Sequence, residues 1–251
     1  MSLQEEGTIL IHTENIFPII KKAVYSDHEI FIRELVSNSV DAIKKRKMAA
    51  FAGDCIEAEN EKINISINRE LKTLTISDNG IGMTANEIKK YINQVAFSSA
   101  EEFLEKYKQP EDGFIGHFGL GFYSSFMVAD EVEIITKSAT KESQSVKWKC
   151  NGSPQYKLED TDKEDVGTDI ILHLMNEEIE YIEPSRIKNL IQKYCDFMPI
   201  EISLEDEVIN KMNPPWRENK QNLKDEDYIE LYKYLYPFQG EPLLWVHLNT
   251  D

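Results

Sequence analysis

Glu34, Asn38 and Asp41 stand at i, i+4 and i+7 of the run Glu34-Leu35-Val36-Ser37-Asn38-Ser39-Val40-Asp41-Ala42. Residues three and four apart share one face of a helix, so two carboxylates and an amide point the same way. Around them the run is apolar (Phe31, Ile32, Leu35, Val36, Val40, Ile43), and the bases come only afterwards, in Lys44-Lys45-Arg46-Lys47. Such a face suits a lined cavity that holds a cation or an activated water. Taken alone, it reads more readily as a turn and a half of solvated helix.

Three further segments carry chemistry. Asp78-Asn79-Gly80-Ile81-Gly82-Met83 follows an alternating apolar pattern, which puts Asp78 at the end of a strand, where side chains project into a crevice. Gly80 and Gly82 allow positive φ or a close approach of backbone to ligand, although Asp-Asn-Gly is also ordinary turn chemistry. Gly116-His117-Phe118-Gly119-Leu120-Gly121 can turn exposed amides towards phosphate at a helix start. It is no dinucleotide fingerprint, which follows the first strand of a βαβ unit, and no Gly-Lys-Ser/Thr of a phosphate loop follows it. Gly167-Thr168 opens an apolar strand and adds a hydroxyl.

The elements that must position these groups follow from periodicity. Residues 8–12 read as a strand, with helical spacing through Ile16, Ile19, Ile20 and Val24. Ser26-x-x-Glu29 has the form of a capping box and is expected to open the Glu34 helix, which runs to about Ala50 before Gly53. Ile63, Ile65 and Ile67, then Leu74 and Ile76, alternate as a hairpin. Thr84-x-x-Glu87 caps a helix to about Ala96, and a second short helix is expected at 100–108. Strands are expected around Val132–Ile134, Val146–Cys150 and Gly167–Leu174, the last near the sheet centre. An amphipathic helix follows Pro184, then a short strand pair at 200–209. Strands with helices gathered between them predict an α+β two-layer sandwich, a mixed, mostly antiparallel sheet with helices on one face. Asn213-Pro214-Pro215-Trp216 is a linker signal. It divides a first domain, 1–212, from residues 213–251, the linker and the start of a truncated second domain.

Composition narrows the classes. The chain has 251 residues and a formal charge of −17, from 45 acidic against 28 basic side chains. That balance opposes a nucleic-acid partner, whose phosphates are met by clustered Lys and Arg. The basic run 44–47 reads as a solvated helix end favoured by the dipole. Cys55, Cys150 and Cys195 are too few and too far apart for a disulfide framework or a metal site. No signal peptide and no membrane-spanning run is apparent, so a cytoplasmic protein with no membrane partner is expected.

The four motifs in this order resemble the Bergerat nucleotide-binding fold, shared by gyrase B subunits, histidine kinases, MutL proteins and the heat-shock protein 90 chaperones. The wording of Ile32–Ala42, Leu74–Thr84 and Ile115–Ser124 is closest to the heat-shock protein 90 family, and the resemblance extends over essentially the whole chain. It implies an N-terminal domain that binds ATP or ADP with Mg²⁺. Glu34 would position and deprotonate the water that attacks the γ-phosphate, and Arg33 would pair with Glu34 until the lid closes. Asn38 would offer its oxygen to the metal. Asp78 would accept from the adenine amino group, with Thr168 supporting it through a water. Met83 and Phe122 would wall base and sugar. Gly82, Gly116, Gly119 and Gly121 would bring backbone to the nucleotide, while Asp41 is expected to make a structural hydrogen bond.

The resemblance further implies a lid at about 97–121, a homodimer in the full-length protein with exchange of the segment around 8–12, and client proteins held by other domains. An arginine from the missing middle domain would reach the γ-phosphate, so feeble hydrolysis is expected of this chain alone. One departure stands out: where the family usually has a lysine before the lid, this chain has Phe97. Two other readings keep the fold, a gyrase- or MutL-like DNA-processing ATPase and a nucleotide-switched interaction module without hydrolysis.

Overall fold

The computed structural model describes residues 27–94, 97–107, 114–116, 119–140, 143–212 and 214–248. The expected strand at 8–12, the helical spacing through Ile16–Val24, Ser26, most of the lid tip and His117-Phe118 lie outside these residues.

Helix α1, Ile30–Phe51, carries the acceptor face. Its opposite face supplies the core: Phe31, Ile32, Leu35, Val36 and Val40 are fully buried, each adding roughly 2 kcal/mol over exposure. The helix stops at Gly53, which adopts φ 82° while its amide and that of Asp54 return to the carbonyls of Ala50 and Ala49. Ser26 of the expected capping box lies outside the described residues; within them the Glu29 side chain caps nothing, and the Glu29 amide donates to Asp27 Oδ1 at 3.0 Å. Glu29 accepts instead from Arg186 at 2.7 Å, Lys193 at 2.6 Å and the Tyr194 hydroxyl at 3.0 Å. Charge-assisted bonds of this kind outcompete a neutral backbone amide.

Strands β1, Lys62–Asn68, and β2, Thr73–Asp78, form the expected hairpin, with Ile63 opposite Asp78. The capping box at Thr84 is present: Thr84 Oγ1 accepts from the Glu87 amide and Glu87 accepts from the Thr84 amide. Helix α2, Ala85–Glu87, widens at once into a π turn, Ile88–Ile92, and ends before Ala96. Helix α3 is Ala100–Tyr107, and a 3₁₀ turn spans Gly121–Met127. Then come β3 Ala129–Lys137, β4 Val146–Cys150, β5 Tyr156–Asp160 and β6 Gly167–Leu174. Helix α4, Pro184–Tyr194, has its proline in the first turn; β7 Glu201–Leu204, β8 Glu207–Val208 and α5 Asp225–Leu235 complete the order.

All eight strands join one sheet in the order β5-β4-β3-β6-β2-β1-β7-β8. Only β1 and β7 run parallel among the described pairs. This is the α+β, mixed and mostly antiparallel sheet expected, with β6 near its centre. Edge strand β5 is nearly all exposed, and its alternation is only two apolar residues long, Tyr156 and Leu158, too short to mark a strand. One sheet face, through Ile63, Ile76, Ile134 and Leu172, packs with α1 and α4 into a single core. On the other face Glu131, Glu133 and His173 gather, but Lys149 at 2.5 Å from Glu131 and Lys147 at 2.6 Å from Glu133 answer the carboxylates.

Candidate functional site

Asp78 closes β2, and its partners across the sheet are set by register: Thr168 on β6 stands opposite Asp78, and Thr136 on β3 stands opposite Thr168. The three side chains form a buried row, 9%, 5% and 0% exposed. The Asp78 carboxylate accepts from the Gly80 amide at 2.9 Å. Burial pushes its pKa up to about 7, against the Gly80 amide and the Ser39 hydroxyl, which pull it down. Ser39, on α1, is itself buried, and its hydroxyl forms no hydrogen bond of ordinary geometry. Ser39 thus lowers the Asp78 pKa without a well-formed hydrogen bond to it. A half-satisfied donor beside a buried acceptor is an arrangement that a ligand or water completes.

The loop after Asp78 is fastened on two sides. The Ile81 amide donates to the Ala42 carbonyl of α1 at 2.9 Å, and the Ala139 amide donates to the Ile81 carbonyl at 2.7 Å. A side chain at Gly80 would collide with Ala42 of α1. Gly82 combines φ 64° with backbone packed against Lys137, so no larger residue fits there. The Met83 amide donates to Thr136 Oγ1 at 3.0 Å, and the Met83 side chain packs against the core.

The acceptor face of α1 meets the glycine-rich segment. Glu34 touches Gly121 and Asn38 Oδ1 lies beside Gly116. Asp41 accepts from the Ile115 amide at 2.9 Å and the Gly116 amide at 2.8 Å, the structural bond expected of it. Gly119 rests on the backbone of Phe97. Phe122 is buried, its ring edge-on to Trp148 at 5.7 Å. Burial raises the Glu34 pKa, and the charge of Arg33 pulls the other way. Arg33 is exposed and forms no ion pair with Glu34 among the described residues.

Within the basic run Lys47 is exposed, as a solvated helix face would be, but Lys45 and Arg46 are not free in solvent. Lys45 donates to Ser99 Oγ at 2.6 Å and lies over the rings of Phe103 and Phe114; its burial lowers its pKa. Arg46 donates to the Asn79 carbonyl at 2.8 Å. At Phe97 the ring stacks on Tyr91 with centroids 6.0 Å apart. Sequence reasoning missed Thr136, Ser39 and Lys45. Only Lys45 left a signal, four residues beyond Asp41 on the same face.

A buried carboxylate at a strand end, a glutamate of raised pKa and glycine-rich backbone are thus gathered against one helix, the arrangement expected of a nucleotide-binding ATPase module. The family model for histidine kinase-, DNA gyrase B- and HSP90-like ATPases matches residues 25–172, and the chain belongs to that family. It is similar to Chaperone protein HtpG of Porphyromonas gingivalis, 48% identical over 265 residues that cover 99% of this chain and 39% of that protein. The HtpG of Bacteroides thetaiotaomicron is 50% identical over 262 residues, 98% of this chain and 38% of that protein. That of Fusobacterium nucleatum is 40% identical over 255 residues, 99% and 42%. The chain spans about two-fifths of the length of these curated relatives. No helix among the described residues is long and apolar enough to cross a membrane.

Proposed function

We propose that this chain is the ATP-binding part of a heat-shock protein 90-type molecular chaperone, which assists protein folding by binding and slowly hydrolysing ATP. The observation that carries this reading is Asp78, a buried strand-end carboxylate beside the orphaned Ser39 hydroxyl. An ionised Asp78 accepts from an exocyclic amine and repels a carbonyl, so it selects adenine over guanine.

Glu34 acts as general base: its raised pKa brings proton transfer closer to neutral pH. Arg33 tempers that rise through its charge. Asn38, with its oxygen beside Gly116, would hold Mg²⁺ as a neutral ligand. Bound there, the metal supplies charge neutralisation on the phosphates. The fit rests on a hard, neutral oxygen donor beside the glycine backbone. Gly82, Gly116, Gly119 and Gly121 bring backbone close to the nucleotide, Met83 and Phe122 wall base and sugar, and Thr168 supports Asp78. Phe97 supplies no cation to the phosphates.

The Pro214-Pro215 pair supports a boundary near residue 213, with later residues leading into a further domain. There Phe238 and Leu243 are fully exposed. Clients, homodimerisation with exchange around 8–12, the catalytic arginine and a cytoplasmic location belong to that longer protein, so this chain alone turns over weakly. The net charge of −17 favours the chaperone over the DNA-processing reading. The test is Asp78→Asn, assayed for Mg-ADP binding by calorimetry. Loss of binding supports the assignment; tight binding by the variant sinks it.

A further inference from the structure

The Thr136 hydroxyl is a three-way junction at the back of the Asp78 row. It accepts from the Met83 amide at 3.0 Å, reaches the Gly167 carbonyl at 3.1 Å and meets Thr168 Oγ1 at 2.9 Å. A hydroxyl has one hydrogen and two lone pairs, so three partners saturate it. Thr136 is also fully buried. It has neither capacity nor access left for a ligand, and whatever it does it does through its neighbours.

Those neighbours flank Asp78 on two sides. Met83 ends the loop that leaves Asp78, and Gly167 packs directly against the Asp78 backbone carbonyl. Thr168 is the cross-strand partner of Asp78 itself. One oxygen therefore ties the outgoing loop, the incoming strand and the neighbouring hydroxyl into fixed positions around the carboxylate.

We propose that Thr136 is a positioning residue for base selection: it clamps the Thr168 hydroxyl and the Met83 amide, and so holds the wall that distinguishes an amino group from a carbonyl at position 6 of a purine. The inference rests on the nucleotide reading given above. A hydroxyl held in one orientation offers one polarity, whereas a freed hydroxyl rotates to suit either group. Sites that fix hydrogen-bond polarity discriminate strongly, because the wrong ligand leaves buried groups unpaired.

The test compares Thr136→Val, which keeps the shape and removes the hydroxyl, with Thr136→Ser, which restores it. Calorimetric titration of Mg-ADP and Mg-IDP, which carries a carbonyl in place of the amine, is run on both variants beside the unaltered chain. Thr136→Val is expected to weaken ADP on the order of tenfold and to narrow the IDP-to-ADP ratio by a similar factor, with Thr136→Ser within about threefold of the parent. A valine variant with lowered stability but an unchanged ratio would reduce Thr136 to a structural role and overturn the proposal. Failure of the parent to bind either nucleotide would instead sink the nucleotide reading beneath it. Should the valine variant not fold, hydrogen exchange at the Met83 amide of the parent decides: slow exchange supports the clamp, and free exchange contradicts it.

Discussion

A Cβ built on Gly121 would stand 2.5 Å from Oε2 of Glu34. The proposed base is thus held where any side chain at position 121 would displace its carboxylate. Because the carboxylate ends a flexible side chain, Gly121→Ala is expected to fold and to push Glu34 aside. Turnover in the intact protein should drop on the order of a hundredfold, the scale of lost general-base catalysis, and by more than ADP affinity does. Steady-state kinetics beside calorimetry checks this; unchanged turnover would show that Glu34 need not stand where it does.

The Asp78 carboxyl titrates near 7, against 3.8 for an ordinary aspartate. Between those values the folded chain holds a proton that the unfolded chain has released, so this group favours folding less as pH rises. Asp78→Asn carries no such proton. Its melting temperature relative to the parent should climb from about pH 4 to about pH 7 and level off above, as linkage requires. Binding runs the opposite way, since the ionised form accepts from the adenine amine: ADP affinity of the parent should strengthen as pH rises through about 7. An affinity flat across that range would contradict the assignment of Asp78.

The start of α1 offers a second titration of opposite sense. Hydrogen bonds from Lys193 and Arg186 hold Glu29 down at about 2, below the ordinary 4.5. Their stabilisation is complete above about 4.5 and is lost as pH falls towards 2. Glu29→Gln should be less stable by about 1 kcal/mol at neutral pH, a scale set by partly exposed ion pairs. Chemical denaturation at several pH values should show the difference shrinking in acid.

Asp41 holds the lid by the amides of Ile115 and Gly116. Asp41→Asn keeps the shape but removes the charge that strengthens both bonds. Hydrogen exchange at these two amides should accelerate by on the order of tenfold, as loss of roughly 1.4 kcal/mol implies. Unchanged exchange would mean that other contacts, such as Lys45 to Ser99, hold the lid without it.

Much of this arrangement is written in local pattern. The i, i+4, i+7 face survives because α1 is long and apolar on its other side, and the hairpin is legible because Ile63, Ile65, Leu74 and Ile76 alternate. Thr84 and Glu87 form the box their spacing promises. What stayed hidden depends on partners distant in sequence. Thr136 matters only because β3 and β6 pair in one register, which no local period reveals. Glu29 looks like a cap until Arg186 and Lys193 arrive from α4. Lys45 looks solvated until Phe103 and Phe114 cover it.

The central claim, an adenine nucleotide bound against Asp78, is tested most directly by thermal unfolding with Mg-ADP and, separately, Mg-GDP. A ligand that binds only the folded form raises the midpoint by mass action, by about 2.7 kcal/mol of stability at a hundredfold excess over Kd. A clear rise with Mg-ADP and none with Mg-GDP is the predicted result. Equal shifts with both, or no shift with Mg-ADP, would contradict it.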